Sequence, residues 1–168
     1  KTRTIFNVLG PLINPARPTY QLMGVYSEQL LEPIAETLRE LGLQKGMVVY
    51  GCGLDEIAIH GETQVAEIHG EHIRYHTLTP ADFGLKYYTL EAIRGGDPDE
   101  NRQITENLLA GKGTDAQQAA IAINLAPLLV MGGKADDLKQ GAELAIETLR
   151  SGDALDKVTQ LATLSHKE

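Results

Sequence analysis

Three side chains in this 168-residue chain combine a residue type and a setting that could do chemistry: Arg3, Asp55 and Glu56. Arg3 sits in the opening run Lys1-Thr-Arg-Thr-Ile-Phe-Asn-Val-Leu-Gly-Pro-Leu-Ile-Asn-Pro15, one residue ahead of a short apolar segment. A guanidinium there can grip a small carboxylate through two parallel hydrogen bonds. The plainer alternative is a surface arginine whose stem lies along apolar surface. Asp55 and Glu56 follow Gly51-Cys-Gly-Leu54. Adjacent residues of a regular strand face opposite sides, so two neighbouring carboxylates converge only on irregular backbone, which Gly51 and Gly53 make available. Magnesium takes one or two carboxylates together with substrate phosphates; a solvated acidic turn is the competing reading. Together the sites fit an enzyme that handles an anionic acceptor and a magnesium-bound phosphorylated donor.

Other polar residues carry weaker signals. His69, His72 and His76 suggest a metal, but on an extended hairpin 69 and 72 are expected on opposite faces, and zinc needs a fuller ligand set. Cys52 reads as a packed thiol beside a strand. Gly111-Lys-Gly113 lacks the preceding strand and spacing of a phosphate loop and reads as a helix–helix turn. Asn7 and Asn124 read as structural residues that bond backbone.

The elements that must position these groups follow from pattern. Thr4–Leu9 reads as a short helix stopped by Gly10-Pro11, and residues 10–19, with three prolines, as a stiff connector. Gln21–Tyr26 is a buried strand. Ser27 is a suitable N-cap for a helix over 28–41, with a stripe of Leu30, Leu31, Ile34, Ala35, Leu38 and Leu41. Met47–Tyr50 is a second apolar strand. Strand, helix and strand make a βαβ unit, which implies a mostly parallel sheet flanked by helices, an α/β fold. Between Ile57 and Leu78 period-two alternation around Gly70-Glu71 predicts an antiparallel hairpin. Thr79–Gly84 is a capped turn. Capping signatures at Asp97-Pro-Asp-Glu100 and Thr114-Asp-Ala-Gln117 open helices to Ala110 and about Met131. The second is apolar nearly all round and is expected to be buried. Two further helices, about 135–150 and 153–164, complete the chain.

The totals narrow the class. The chain is 42% hydrophobic and 23% charged, with a net charge of −8. This charge argues against nucleic acid as a partner. No apolar run approaches the roughly 18–20 residues that span a bilayer, so no membrane partner is expected. A single cysteine allows no intrachain disulfide and suits the cytoplasm. Lys1 opens directly into a patterned segment, and the chain reads as a piece of a longer polypeptide.

The whole chain resembles the C-terminal part of the anthranilate phosphoribosyltransferases. The resemblance is carried by Arg3–Ala16 and Gln21–Tyr26, then by Gly53-Leu-Asp-Glu56 and Leu78-Thr-Pro-Ala-Asp-Phe-Gly84. Gly95-Gly-Asp-Pro98 with Glu100-Asn101, Gly111-Lys-Gly113 and Ser151-Gly152 complete it. It implies transfer of phosphoribosyl from phosphoribosyl pyrophosphate to the amine of anthranilate, in tryptophan biosynthesis. Arg3 would then hold the anthranilate carboxylate, and Asp55 and Glu56 would bind Mg2+ carried with the diphosphate. It further implies a homodimer through a small helical domain and possible fusion to, or association with, anthranilate synthase. Residues 1–19 would be the helix and hinge of that domain, and residues 20–168 the rest of the α/β domain. The family's glycine-rich diphosphate loop, a second metal ligand and further anthranilate contacts would precede Lys1. The acidic loop is a residue shorter than the Gly-x-x-Gly-x-Asp-Glu form common among relatives. Two rivals belong to the same fold family: a pyrimidine nucleoside phosphorylase, and a non-catalytic nucleic-acid binder. The metal pair and the Arg3–Pro15 segment favour the transferase over the first, and the acidity and the retained carboxylates over the second.

Overall fold

The structure, a computed structural model, describes residues 10–165; the helix expected at Thr4–Leu9, with Arg3 and Asn7, lies outside them. Gly10, Pro11 and Leu12 are themselves helical and the turn follows at Ile13, so the Gly10-Pro11 pair does not by itself end helical backbone. Proline's fixed φ of about −65° is itself a helical value.

Among the described residues four strands form one sheet: β1 (Tyr20–Gly24), β2 (Lys45–Tyr50), β3 (Thr63–His69) and β4 (His72–Leu78), in that order. β1 and β2 run parallel, joined by helix α1 (Leu31–Glu40), so the βαβ unit forms as its pattern predicts. The other two pairings are antiparallel. The described sheet is therefore mixed rather than mostly parallel, because one crossover helix supplies one parallel partner and the hairpin supplies the rest. The hairpin turns at Gly70-Glu71, where Gly70 has φ +54°.

Helix α1 buries Leu31, Ile34, Ala35 and Leu38 against Val48, Ala66 and Ile68 on one face of the sheet. Its entry differs from expectation. A 3-10 turn over Glu28–Leu30 precedes it, and the Ser27 side chain makes no capping bond. The Leu30 N–H, a donor such a cap would use, goes to the Ser27 carbonyl at 3.0 Å.

Helices α2 (Pro98–Leu109), α3 (Asp115–Met131), α4 (Leu138–Ser151) and α5 (Asp153–Ser165) follow. The caps of α2 and α3 form as four-residue signatures. The Asp97 carboxylate accepts from Asp99 and Glu100 N–H, while Glu100 accepts from Asp97 N–H. Thr114 and Gln117 reciprocate in the same way. Each such cap stabilises by about 1 kcal/mol. On the second sheet face Met47, Val49, Val65 and Leu78 pack with Ala119, Ala122, Ile123 and Ala126 of α3 and Ala142 and Ala145 of α4. Small residues bring the two helices together. A Cβ on Gly141 would lie 3.0 Å from the Ala126 Cα. Contrary to expectation α3 is not buried all round: Ile121 and Leu128 remain exposed and border the groove described below.

Glu67 of β3 is the most embedded carboxylate of the hairpin, its side chain 15% exposed. Arg74 Nη2 donates to it at 2.8 Å, and His69 Nε2 lies at 3.1 Å. Burial pushes its pKa up, but the hydrogen bonds from Arg74 and His69 and the charges of Arg74 and His76 outweigh burial and lower it. A depressed carboxylate contributes stability above its unfolded pKa and loses it as pH falls through the folded value. Glu67→Gln is therefore expected to cost roughly 0.5–1 kcal/mol at neutral pH, since Arg74 is largely exposed. The difference should shrink between neutral pH and an acid pH at which the carboxylate is protonated. Denaturant midpoints of the intact protein at both pH values check this; a loss equal at both would remove the ion pair as its cause.

Candidate active site

The acidic pair stands at the carboxyl ends of the parallel strands, the edge where open α/β sheets bind ligands. Beyond β2, Gly51 and Leu54 exchange backbone hydrogen bonds at 2.9 and 3.0 Å. The two residues between them, Cys52 and Gly53, have φ of +52° and +99°, the left-handed signs that tight reversals of this kind require. The chain thus doubles back at once and leaves regular pairing, and Asp55 and Glu56 both line one groove. Cys52, expected to be packed, is exposed, because it sits on the tip of this turn and not on the strand.

Glycine lets the returning backbone come close. A Cβ on Gly24, the last residue of β1, would lie 1.5 Å from the Asp55 carbonyl oxygen; one on Gly51 would lie 2.1 Å from that of Glu56. Past the pair, Asn124 of α3 accepts from Ile57 N–H at 2.8 Å and donates to the Ile57 carbonyl at 3.2 Å. The fully buried Thr63 hydroxyl accepts from Ala58 N–H at 2.9 Å. Asn124 thus bonds backbone, as its setting in an apolar helix suggests. Gly24 escaped the sequence reading, although a glycine in a strand often marks close approach of another backbone.

The groove has a volume of about 370 Å³. Leu22 and Val49 of the sheet and Ala120, Ile121, Leu125 and Leu128 of α3 give it apolar walls, with the two carboxylates at the rim. No described residue hydrogen-bonds or ion-pairs with either carboxylate. Desolvation, and secondarily the Asp55 charge, raises the Glu56 pKa above the usual carboxylate value. Two neighbouring exposed carboxylates with no partner among the described residues suit a hard divalent cation that brings its remaining ligands with it. They do not make a metal cage by themselves: among the described residues no group of three or more His, Cys, Asp or Glu is arranged to hold a metal.

The remaining candidates separate from this site. His69 and His72 are cross-strand partners beside the turn. They therefore share a face, contrary to expectation, because the two-residue turn places them directly opposite each other. His76 faces Glu67 at 3.7 Å. Gly111-Lys-Gly113 is the turn between α2 and α3. Arg3 lies outside the described residues. Among the described residues no helix is long and apolar enough to cross a membrane.

Known proteins match the chain throughout. The model of the "Glycosyl transferase family, a/b domain" matches residues 1–155. An anthranilate phosphoribosyltransferase of Tolumonas auensis is 86% identical over all 168 residues, which cover 50% of that protein. One of Aeromonas salmonicida is 64% identical over the same span, again 50% of its length. Among solved structures, anthranilate phosphoribosyltransferase from Thermus thermophilus superposes with a TM-score of 0.83 at 41% identity, covering 92% of this chain and 45% of that one. The Saccharomyces cerevisiae enzyme in complex with PRPP and Mg gives a TM-score of 0.82 at 31% identity, covering 92% and 45%. The chain spans about half the length of the curated relatives it matches. With a family model matched along nearly its whole length, around a groove at the carboxyl ends of its parallel strands, the chain belongs to the glycosyl transferase family, in its a/b domain.

Proposed function

We propose that the protein containing this chain transfers the phosphoribosyl group of phosphoribosyl pyrophosphate to the amine of anthranilate. The C1–oxygen bond to pyrophosphate breaks, the C1–nitrogen bond forms, and the amine gives up a proton. The observation that carries this reading is the Asp55–Glu56 pair, without a partner among the described residues, lining a groove in a chain 86% identical to an enzyme of that name.

Asp55 and Glu56 would hold Mg2+, which when bound would neutralise charge gathering on the departing diphosphate. The loop turn at Cys52-Gly53 presents both carboxylates to the same space without reorganisation. The apolar walls exclude water from one side of the groove and strengthen electrostatic contacts within it. Arg3 would take the anthranilate carboxylate and so orient the amine, a positioning role that needs no covalent nucleophile. A dimer through a helical domain and a cytoplasmic location belong to the same reading.

The test is anthranilate consumption by the full-length protein, followed by loss of anthranilate fluorescence, with phosphoribosyl pyrophosphate and with or without Mg2+. Magnesium-dependent consumption is the expected result. A folded full-length protein that consumes none would overturn the reading, and phosphorolysis of thymidine or uridine would then be assayed.

A further inference from the structure

We propose that Asn124 is a positioning residue for the acidic pair: it clamps the backbone immediately after Glu56 and thereby sets where both carboxylates stand. The inference rests on the metal-binding role proposed above for Asp55 and Glu56.

The geometry is specific. Asn124 reaches across 67 positions of sequence to bind both polar groups of one residue, Ile57. Its amide also donates to the Ala120 carbonyl of its own helix at 3.0 Å. The amide nitrogen is thus shared between the α3 backbone and the loop, while the amide oxygen bonds the loop alone. Ile57 is 2% exposed, so with Asn124 in place its N–H and carbonyl are satisfied by the amide and not by solvent. An amide is the group this clamp needs. It offers a donor and an acceptor at once, whereas a carboxylate or an ammonium offers one kind alone.

The loop is gripped from the other side too. Gly24 lies beneath the Asp55 carbonyl and Gly51 beneath that of Glu56, each too close to admit a side chain. Those contacts block movement towards the sheet. Asn124 adds a hydrogen-bonded restraint to these steric ones, and itself lines the groove. The Gly51–Leu54 pair and the Thr63 hydroxyl on Ala58 N–H hold the loop at its two ends, but no described residue bonds to either carboxylate, and Asn124 is the side chain that grips the residue next to the pair. For a cation bound by two protein oxygens and a substrate, small displacements of those oxygens govern affinity.

The experiment uses the full-length enzyme and compares Asn124→Ala with Leu149→Ala. Leu149 is buried in α4 and is not among the residues lining the groove, so it serves as the control for lost stability. Two quantities are read besides melting temperature. One is calorimetric affinity for phosphoribosyl pyrophosphate at fixed Mg2+ without anthranilate; the other is the Mg2+ concentration giving half-maximal turnover. Asn124→Ala is expected to weaken the first and raise the second by about 10-fold, with the anthranilate KM changed less than about 2-fold. Leu149→Ala, at a similar loss of melting temperature, should leave both near wild type. If Asn124→Ala does not fold, Asn124→Gln takes its place: it keeps both bonding groups on a longer stem and pushes the loop instead of releasing it. Equal behaviour of the Asn124 and Leu149 variants would reduce Asn124 to a structural residue and overturn the proposal. The Asp55→Asn, Glu56→Gln double variant separates the two layers. If it keeps wild-type Mg2+ dependence, the metal reading itself fails; if it loses that dependence while Asn124→Ala keeps it, only the clamp fails.

Discussion

Replacing Asp55 by Asn together with Glu56 by Gln should lower magnesium-dependent turnover of the full-length protein by about 10²–10³-fold, the range found when one preorganised electrostatic partner of a reacting group is removed. The substitutions keep size and shape and remove only charge. Folding should survive, because no described residue hydrogen-bonds or ion-pairs with either carboxylate, so no partner is orphaned. The raised Glu56 pKa points the same way. A carboxylate whose folded pKa lies above its unfolded value disfavours the folded state when ionised. Removing both charges should leave the melting temperature unchanged or slightly higher. A raised Glu56 carboxylate beside a second carboxylate, neither with a described partner, fits a cation-binding role. Raising Mg2+ should recover part of the lost turnover. Wild-type activity at ordinary Mg2+ would show that the pair is a solvated turn, and a fall in activity that tracks a fall in melting temperature would show that it is structural.

Legibility in the sequence follows the range of the interactions. The α2 and α3 caps are complete within four residues, and both form as written in Asp97–Glu100 and Thr114–Gln117. The βαβ unit needed only two apolar runs and a stripe at helical spacing, and the hairpin only alternation about Gly70-Glu71. What local pattern could not supply is tertiary. That α3 leaves Ile121 and Leu128 exposed depends on the groove beside it, not on its own composition. That Cys52 points outward depends on the Gly51–Leu54 bridge, which reverses the chain one residue beyond the strand. The shared face of His69 and His72 depends on register, which the alternation of one strand does not fix against its neighbour. The same division runs through the site. The glycine-flanked acidic pair was visible as a candidate, since irregular backbone past a strand is a short-range property. Its restraint by Asn124 and Gly24 was not, because those contacts join α3 and β1 to the loop across 67 and 31 residues.

The Arg3→Ala substitution probes the other half of the proposed reaction. A guanidinium holding a carboxylate makes charge-assisted bonds of about 1.5–3 kcal/mol each. Losing that grip should raise the anthranilate KM by about 10- to 100-fold while moving the phosphoribosyl pyrophosphate KM by less than about 2-fold. Arg3→Lys should recover only part of the loss, since an ammonium keeps the charge but not the planar fork that pairs both carboxylate oxygens. Equal changes in the two KM values would remove the acceptor role. The combination with Asp55→Asn and Glu56→Gln is the sharper measurement. Groups that hold different substrates and share no partner act independently, so their losses should multiply. If Arg3 instead acted through the acidic loop, as a counter-ion to Asp55 or Glu56, the triple variant would be hardly worse than the acidic double variant alone. Multiplication would assign the cation to the acceptor and the carboxylates to the donor; its failure would merge them into one electrostatic unit and require a different anchor for anthranilate.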